Sequence, residues 1–505
     1  MADGWGNDGL IAGLRTGNAA HEADLYDAAY LEWLRFGAEN DLLEANPEAS
    51  CKTGVTAAQM TLVKQIAAVL GIGVLLVPVS LFAAISALAF SAFCLLIIYR
   101  CVLLCAGFAA RTAPPFTGDS AKRRFIWPRY SVLVPVFREP EAIGPLIAAL
   151  KGLDYPKRQL EILILLEESD TETLAALEQL KLRPYFKVIV VPEGEVQTKP
   201  RALNFGLKLA AGKMIAVYDA EDAMHSTQLK EAVRAFQYAR EETRRKPLAC
   251  VQAPLIPHNS GESWIAAQFA QEYRVHFGLI VPGLSALRLP VMLGGTSNHF
   301  DRTALETVGG WDPYNVTEDA DLGLRFAAAG YRVGHISPPT FEEAPIGLRQ
   351  WIGQRSRWVK GFIQTAGVFF RASPASRIRV MGLKNYISAV LLLSGSVLSA
   401  VFHGPFALWL VAQAVLPGLT PPSEAIILCL TGFSVHILSV FMSGALASAG
   451  AIRALITAPF YWPLQTVAAG KAIYELIVRP FYWDKTQHGV SVKSLSRKQL
   501  RTAKV

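Results

Sequence analysis

Asp219-Ala-Glu-Asp222 sets three carboxylates within a single turn. Hard oxygen donors of this kind, Asp219, Glu221 and Asp222, suit Mg2+ or Mn2+ bound together with a diphosphate. One acidic residue at such a turn is also what a following helix uses as an N-cap, with no ligand involved. Thr317-Glu318-Asp319 opens a stretch of helical periodicity that stops at Gly330. Thr317 is a natural N-cap and both acids fall in the first turn, where the helix dipole favours anions. A carboxylate held at a rigid helix start, Glu318 or Asp319, can take a proton from a reacting hydroxyl. In Gln354-Arg-Ser-Arg357-Trp358 a guanidinium fork suited to diphosphate stands beside a flat aromatic face. The same residues suit a helix at a membrane surface, with arginines on lipid phosphates and tryptophan in the aromatic belt.

Side chains this far apart in sequence need a scaffold that gathers them. YSVLVPVF (130–137), LEILILLE (160–167), KVIVVP (187–192) and KMIAVYDA (213–220) are short apolar runs of strand length, separated by stretches with helical periodicity. That alternation predicts a parallel sheet wound in βαβ units, with ligands at the carboxyl ends of the strands. The turns after the first, second and fourth runs are Arg138-Glu-Pro140, Glu167-Glu168-Ser-Asp170 and the 219–222 turn itself. Three polar or acidic turns at one sheet edge describe a pocket for a nucleotide and a divalent cation.

The chain has 505 residues, is 52% hydrophobic and carries a formal charge of +8. Its apolar matter is local. From Gln65 to Ala110 the only charge is Arg100, and at 1.5 Å per residue this is roughly 70 Å of helix, enough for two crossings of a ~30 Å bilayer core with a break near Pro78. Asn385–Val478 is a second apolar region, interrupted at HGP (403–405), LPGLTPPSE (416–424) and SAGAIR (448–453). It is read as four spans, or as two spans followed by an interfacial helix. Lys122, Arg123, Arg124, Arg377, Arg379, Lys384 and the basic tail put the central region and the C-terminus on the cytoplasmic side of a bacterial inner membrane. The first 58 residues are acidic and lack the basic and apolar regions of a cleaved signal peptide. Six scattered cysteines lack metal-ligand spacing and read as small buried apolar residues. The positive charge suits an anionic leaflet; no basic stripe with interleaved aromatics points to nucleic acid.

The ordered set PVFREP, LLEESD, TKPRALN, DAED, GGTSNHF, TED and QRSRW, over about residues 128–365, resembles glycosyltransferase family 2, in particular its membrane-embedded processive cellulose, curdlan and hyaluronan synthases. The resemblance implies a GT-A fold, a Rossmann-like parallel sheet inserted between membrane helices, using a nucleotide-sugar, usually a UDP-sugar, with a metal. It further implies that Asp219 with Glu221 or Asp222 binds metal and diphosphate, and that Glu167 or Glu168 contacts the nucleotide. Lys199, Arg201, Gln354 and Arg357 would serve the nucleotide or diphosphate. Asp319, with Glu318 beside it, would be the general base, and Trp358, Asn298 and His299 would meet the acceptor. YWDKT (482–486) is similar to a gating element, with Trp483 and Lys485 in it. The implied organisation is an N-terminal segment 1–58, a hairpin 59–110, a catalytic domain 111–350, interfacial helices 351–382, membrane or interface helices 383–480 and a tail 481–505. The expected activity is inverting, processive polymerisation of UDP-glucose into a β-linked exopolysaccharide translocated across the membrane. A single transfer to a lipid carrier is the alternative, and an inactive scaffold in a secretion complex a third. Expected partners are the donor, the growing polysaccharide, membrane lipids and secretion or regulatory subunits.

Overall fold

The structure, a computed structural model, describes residues 28–112, 125–241 and 246–482; Trp483 and Lys485 lie outside these. Four apolar runs form β1 (Tyr130–Val136), β2 (Leu160–Glu167), β3 (Phe186–Val191) and β4 (Met214–Val217). β1 and β2 are buried along nearly their whole length because helices cover both faces of the sheet. The next strands are β5 (Ala223–Met224), β6 (Leu248–Gln252), β7 (Leu255–Pro257), β8 (Asn298–Asp301), β9 (Arg332–His335) and β10 (Thr340–Glu342). The main sheet runs β3-β2-β1-β4-β8-β6-β9, and β5-β10-β7 form a small second sheet.

The main sheet is mixed, where an all-parallel one was expected. β8 runs antiparallel to both β4 and β6, because the chain returns to it from a helical excursion on the far side rather than by a crossover helix. The consequence is local: the turn that leads into β8 abuts the carboxyl end of β4. Ser297 N–H donates to Val217 O at 2.8 Å, which brings Gly295 and Thr296 beside Asp219. Ser297 holds a left-handed backbone (φ 58°), pinned by its hydroxyl bond to Thr340 Oγ1 at 2.5 Å.

Among the described residues four helices are long and apolar enough to cross a membrane: Ala57–Leu76, Pro78–Arg111 (within the helix Pro78–Thr112), Leu383–Val415 and Ser423–Ser443. The chain breaks between the first two at Val77, with Pro78 opening the next helix. Leu75, Val79, Leu408 and Phe441 stand outward and largely uncovered, as lipid-facing residues would. Two shorter helices, Ala451–Tyr461 and Leu464–Val478, follow. HGP does not interrupt its helix as expected, since Pro405 lies inside Leu383–Val415. Thr466 compensates: its hydroxyl accepts from Gly404 N–H at 2.8 Å and lies 2.8 Å from Ala400 O, serving backbone groups that the proline disturbs. The cysteines of the hairpin are not core residues either. Cys105 is exposed and Cys94 and Cys101 are half-buried, while Cys51 and Cys250 are buried.

The hairpin is seated on the α/β domain through small residues. A Cβ at Gly107 would overlap Leu279 O, and one at Gly283 would overlap Leu103 O. This backbone-to-backbone approach fixes the long helix Pro78–Thr112 against the π-helical turn His276–Ile280.

Candidate active site

The site forms where three carboxyl-end turns meet the start of the helix Glu318–Ala328 and one face of the helix Leu348–Phe369. The 219–222 turn is tied down by its own atoms. Asp222 Oδ2 accepts from Asp219 N–H at 2.8 Å and from the Thr296 hydroxyl, so the β4 end and the β8 turn are locked together. Asp222 Oδ1 is buried with no hydrogen-bond partner. Burial holds the Asp222 carboxyl well above the usual carboxylate range, with Asp219 and Glu221 adding to the rise.

Lys199, the first residue of the helix Lys199–Leu209, donates to Asp219 Oδ1 and to Gly295 O at 2.7 Å. Burial opposes its charge, but Asp219, Glu318 and Asp319 together hold it above the ordinary lysine range. The 317–319 acids sit at their helix start as the sequence predicts, although the Thr317 side chain makes no capping hydrogen bond. Burial pushes Asp319 up to about 6, against the pull of the Ala320 N–H bond, Lys199 and Arg357. Glu318 rises to about 8 through burial and the Asp319 charge beside it. Burial and mutual repulsion thus raise both carboxyls, and their protons leave in two steps that belong to the pair.

Arg357, Gln354 and Trp358 line the same cavity as Asp219 and Asp319. Trp358 stacks on Tyr273 (6.2 Å between centroids, 25° between planes) and lies under the Arg355 guanidinium at 4.4 Å. Arg355 in turn is held by Glu272, which also accepts from Tyr461 Oη at 3.1 Å. The Trp358 ring is thus held by Tyr273 and Arg355, and Gln354 Oε1 is buried without a partner.

Four sequence-predicted residues, His299, Asn298, Arg201 and Glu168, are placed elsewhere. His299 is fully buried within the sheet, its Nδ1 2.7 Å from Tyr130 Oη and its Nε2 3.3 Å from Gln228 Oε1; burial holds it neutral, down to about 3. Asn298 spends its amide on Gly294 O at 2.5 Å. Both are sheet-interior residues that brace the β8 turn and do not line the cavity. Arg201 is 1% exposed and bonded to Glu167, Glu39 and Pro192 O, so its charge is used inside the protein. Of the 167–168 pair, Glu167 lines the cavity, whereas Glu168 is exposed and accepts from Glu193 N–H at 3.1 Å.

Glu342, at the end of β10, was missed. It lines the cavity, and burial together with Asp222, Glu221 and Asp219 holds its carboxyl well above the usual range. The only signal for it was an acidic pair, Glu342-Glu343, closing a short apolar run. Asp219 and Glu221 line the cavity and Asp222 Oδ1 is buried behind them without a partner, which is the donor chemistry a hard cation would use, although among the described residues no three acidic, histidine or cysteine side chains converge as a metal centre.

The cavity measures about 1760 Å³ and does not end at these residues. It continues past Tyr273 and His276 to between the long helices, where Phe90, Leu96, Phe402, Leu410 and Phe433 line it. One space thus joins carboxylates at a sheet edge to an apolar chamber among membrane-length helices.

Residues 128–361 match the sequence model of a family described as glycosyltransferase like family 2. This segment is a glycosyltransferase family 2 domain, and its sheet is the GT-A fold. A β-monoglucosyldiacylglycerol synthase from Synechocystis is 29% identical over 258 residues, covering 50% of this chain and 51% of that one. The synthase of the same name from Trichormus variabilis is 30% identical over 250 residues (47% and 49%). A cellulose synthase catalytic subunit from Xanthomonas axonopodis pv. citri is 25% identical over 249 residues (48% and 32%). The chain thus spans about half the length of the glucosyldiacylglycerol synthases it matches. Among solved structures, a mannosyltransferase from Pyrobaculum calidifontis, in complex with GDP-Man and Mn2+, aligns with a TM-score of 0.50 at 19% identity, covering 77% of this chain and 99% of that one. At that identity the likeness is one of fold.

Proposed function

We propose that the protein is an inverting glycosyltransferase of the bacterial inner membrane, its catalytic domain cytoplasmic, that moves a hexosyl group from a nucleotide-sugar to a hydroxyl of a lipid-borne acceptor. A UDP-sugar is the first donor to test. The observation that carries this reading is the continuity of the cavity from Asp319 to the apolar chamber. A lipid tail is retained there by apolar burial alone, at about 0.8 kcal/mol per CH2, while its headgroup reaches the carboxylates. The similarity to two glucosyldiacylglycerol synthases supports the same acceptor class.

In this mechanism Asp319 accepts the proton of the acceptor hydroxyl as that oxygen bonds to the anomeric carbon. The bond from that carbon to the diphosphate oxygen breaks on the opposite face, and its electron pair leaves with the nucleoside diphosphate. One displacement inverts the configuration, so an α-linked donor gives a β-linked product. Lys199 and Arg357 offset the charge on the departing diphosphate. Asp219 with Glu221 or Asp222 would hold Mg2+ or Mn2+, which when bound supplies further positive charge to the diphosphate. Glu167 faces the donor nucleotide, and Trp358 gives the acceptor a flat surface.

A second reading, a processive synthase of a β-linked polysaccharide, draws on the clamped ring of Trp358 within QRSRW and on the likeness to a cellulose synthase subunit. Product size separates the two. Purified protein in detergent with Mn2+ is given a panel of UDP-sugars with and without diacylglycerol, reading nucleotide release and product mass. Lipid-dependent addition of one sugar supports the first reading, and a long glycan without added lipid supports the second. No nucleotide release from any donor refutes both.

A further inference from the structure

The N-terminal helix Ala28–Ala45 lies outside the matched domain 128–361, yet it reaches the floor of the donor pocket. It packs along the helix Lys199–Leu209, where Asn204 Nδ2 donates to Ala38 O at 3.1 Å and Lys208 pairs with Asp41. At the centre of this contact Glu39 is 4% exposed. Glu39 Oε1 accepts from Glu195 N–H at 3.0 Å and from Arg201 Nη1 at 3.4 Å. Arg201 Nη1 also donates to Pro192 O at 2.7 Å, and Nη2 donates to Glu167 Oε2 at 2.5 Å. One buried guanidinium is therefore shared by two buried carboxylates, one of them on the cavity wall.

Two independent features show that this contact is built in. A Cβ at Gly194 would collide with both Glu39 Oε1 and Arg201 Nη1, so glycine there makes the approach possible. Further along the N-terminal segment, Lys52 Nζ bonds Glu195 Oε2 at 2.5 Å and Tyr314 Oη at 2.7 Å. The loop 192–198 is thereby held from outside at both Glu39 and Lys52, and it ends in Gln197, Thr198 and Lys199, all of which line the cavity.

Glu39 Oε2 also lies 3.8 Å from Arg35 Nη1, so two buried carboxylates are answered by one buried guanidinium and one at the edge, and such a buried network is poorly justified by stability alone. Its geometric effect is specific. Glu39 and Pro192 O fix one end of the guanidinium, the other end takes Glu167 Oε2, and Glu167 Oε1 is left for a ligand. We propose that Glu39 is a positioning residue of the donor site, acting through Arg201 on Glu167, so that the N-terminal helix is an integral part of donor recognition. The inference rests on the reading of Glu167 as a donor contact.

The charge of Glu39 also reaches Glu167. Burial pushes Glu167 up to about 7; Arg201 lowers it, while Glu39 and Glu193 raise it. The charged groups around it are Arg201 and Lys199 on the helix Lys199–Leu209, Glu39 and its neighbour Arg35 on the N-terminal helix, and Glu193 in the loop. An anionic Glu167 accepts N–H groups from a nucleotide base, whereas a protonated one does so poorly.

The test is calorimetric titration of UDP, with Mn2+, into the full chain in detergent from pH 5.5 to 8.5. Wild type, Glu39→Gln and Glu39→Ala are compared, with thermal melts alongside. Wild-type affinity falls as the pH drops through about 7. Glu39→Gln keeps the shape and removes the charge, so its fall moves to lower pH and at pH 6 it binds UDP about threefold more tightly than wild type. Glu39→Ala also loses the anchor on Arg201 and binds about fivefold more weakly at pH 8. Unchanged UDP affinities and pH midpoints in both variants overturn the proposal, as does a lowered melt with no midpoint shift in Glu39→Gln. Wild type that binds neither UDP nor GDP overturns the donor reading itself, and the inference with it.

Discussion

Replacing Asp319 tests the chemistry most directly, because its environment dictates a pH profile as well as a loss. Asp319 titrates near 6 and must be ionised to take a proton. At pH 5, one unit below, about one molecule in eleven carries the base, so kcat/KM for the acceptor drops about tenfold from its plateau above pH 7. Donor must be saturating throughout, because Glu167, near 7, gives donor binding a pH dependence of its own. Asp319→Asn removes the base and should lower the plateau ~10²–10⁴-fold, or about 3–5 kcal/mol of barrier, and leave the profile flat. Glu318 is the internal control. Burial and the Asp319 charge hold its carboxyl well above the usual range, which favours the protonated form, so Glu318→Gln should keep activity within a few-fold and preserve the acid limb. The assay is initial-rate release of nucleoside diphosphate between pH 4.5 and 8. An acid limb surviving in Asp319→Asn, or a loss in Glu318→Gln as deep as in Asp319→Asn, would refute the assignment of the base.

Gly361 faces Thr317, and an added Cβ would overlap its hydroxyl and methyl. Gly361→Ala should therefore shift the 317–319 turn and lower kcat by ten- to a hundredfold, with little change in donor Kd. Lys360 is fully buried between Glu475 (3.5 Å) and Tyr482 O (2.7 Å), while Glu475 also has Lys471 and Arg479. Glu475→Leu strands the buried ammonium and should cost about 3–5 kcal/mol in chemical unfolding; Lys360→Met should cost less, because Glu475 keeps two partners. Exhaustive chelation should abolish nucleotide release, and Mn2+ or Mg2+ should restore it, while Lys199→Met should not be rescued by either ion.

Much of the site was legible because each motif obeys a local rule. The 219–222 turn follows an apolar run of strand length, so its place at a sheet edge follows from the βαβ alternation. The 317–319 acids precede a helix whose stop at Gly330 (φ 83°) is equally local. What failed depended on partners far along the chain. Nothing near Arg201 reveals Glu39, 162 positions away, as the acceptor of its charge. His299 and Asn298 read as acceptor-site residues because GGTSNHF resembles the family's motif there, but β8 is antiparallel and central, so His299 meets Tyr130 and Gln228 and Asn298 meets Gly294 O instead. HGP looked like a helix break because the compensating hydroxyl, that of Thr466, is some sixty residues downstream.

The charges around the mouth of the cavity bear on how the donor arrives. Asp219, Glu221, Glu318, Asp319 and Glu342 line it, with Asp222 just behind, and the cations that answer them there are Lys199, Arg355 and Arg357. Arg355 is already engaged by Glu272, and Lys199 by Asp219. Burial holds Glu318, Glu342 and Asp222 toward their neutral forms, and the cations are largely spent on the remaining carboxylates. A diphosphate entering alone would therefore find little positive charge to spare in a partly desolvated space, where Coulomb terms are several-fold stronger than in water. A divalent cation held by Asp219 with Glu221 or Asp222 would supply that missing positive charge. On the membrane side the lining is mainly apolar, with Phe90, Leu96, Phe402 and Leu410, and among its polar members are Arg100, His403, His436 and Glu424. On the proposed lipid-acceptor reading, donor and acceptor would therefore reach Asp319 from the carboxylate-rich and the mainly apolar halves of one cavity.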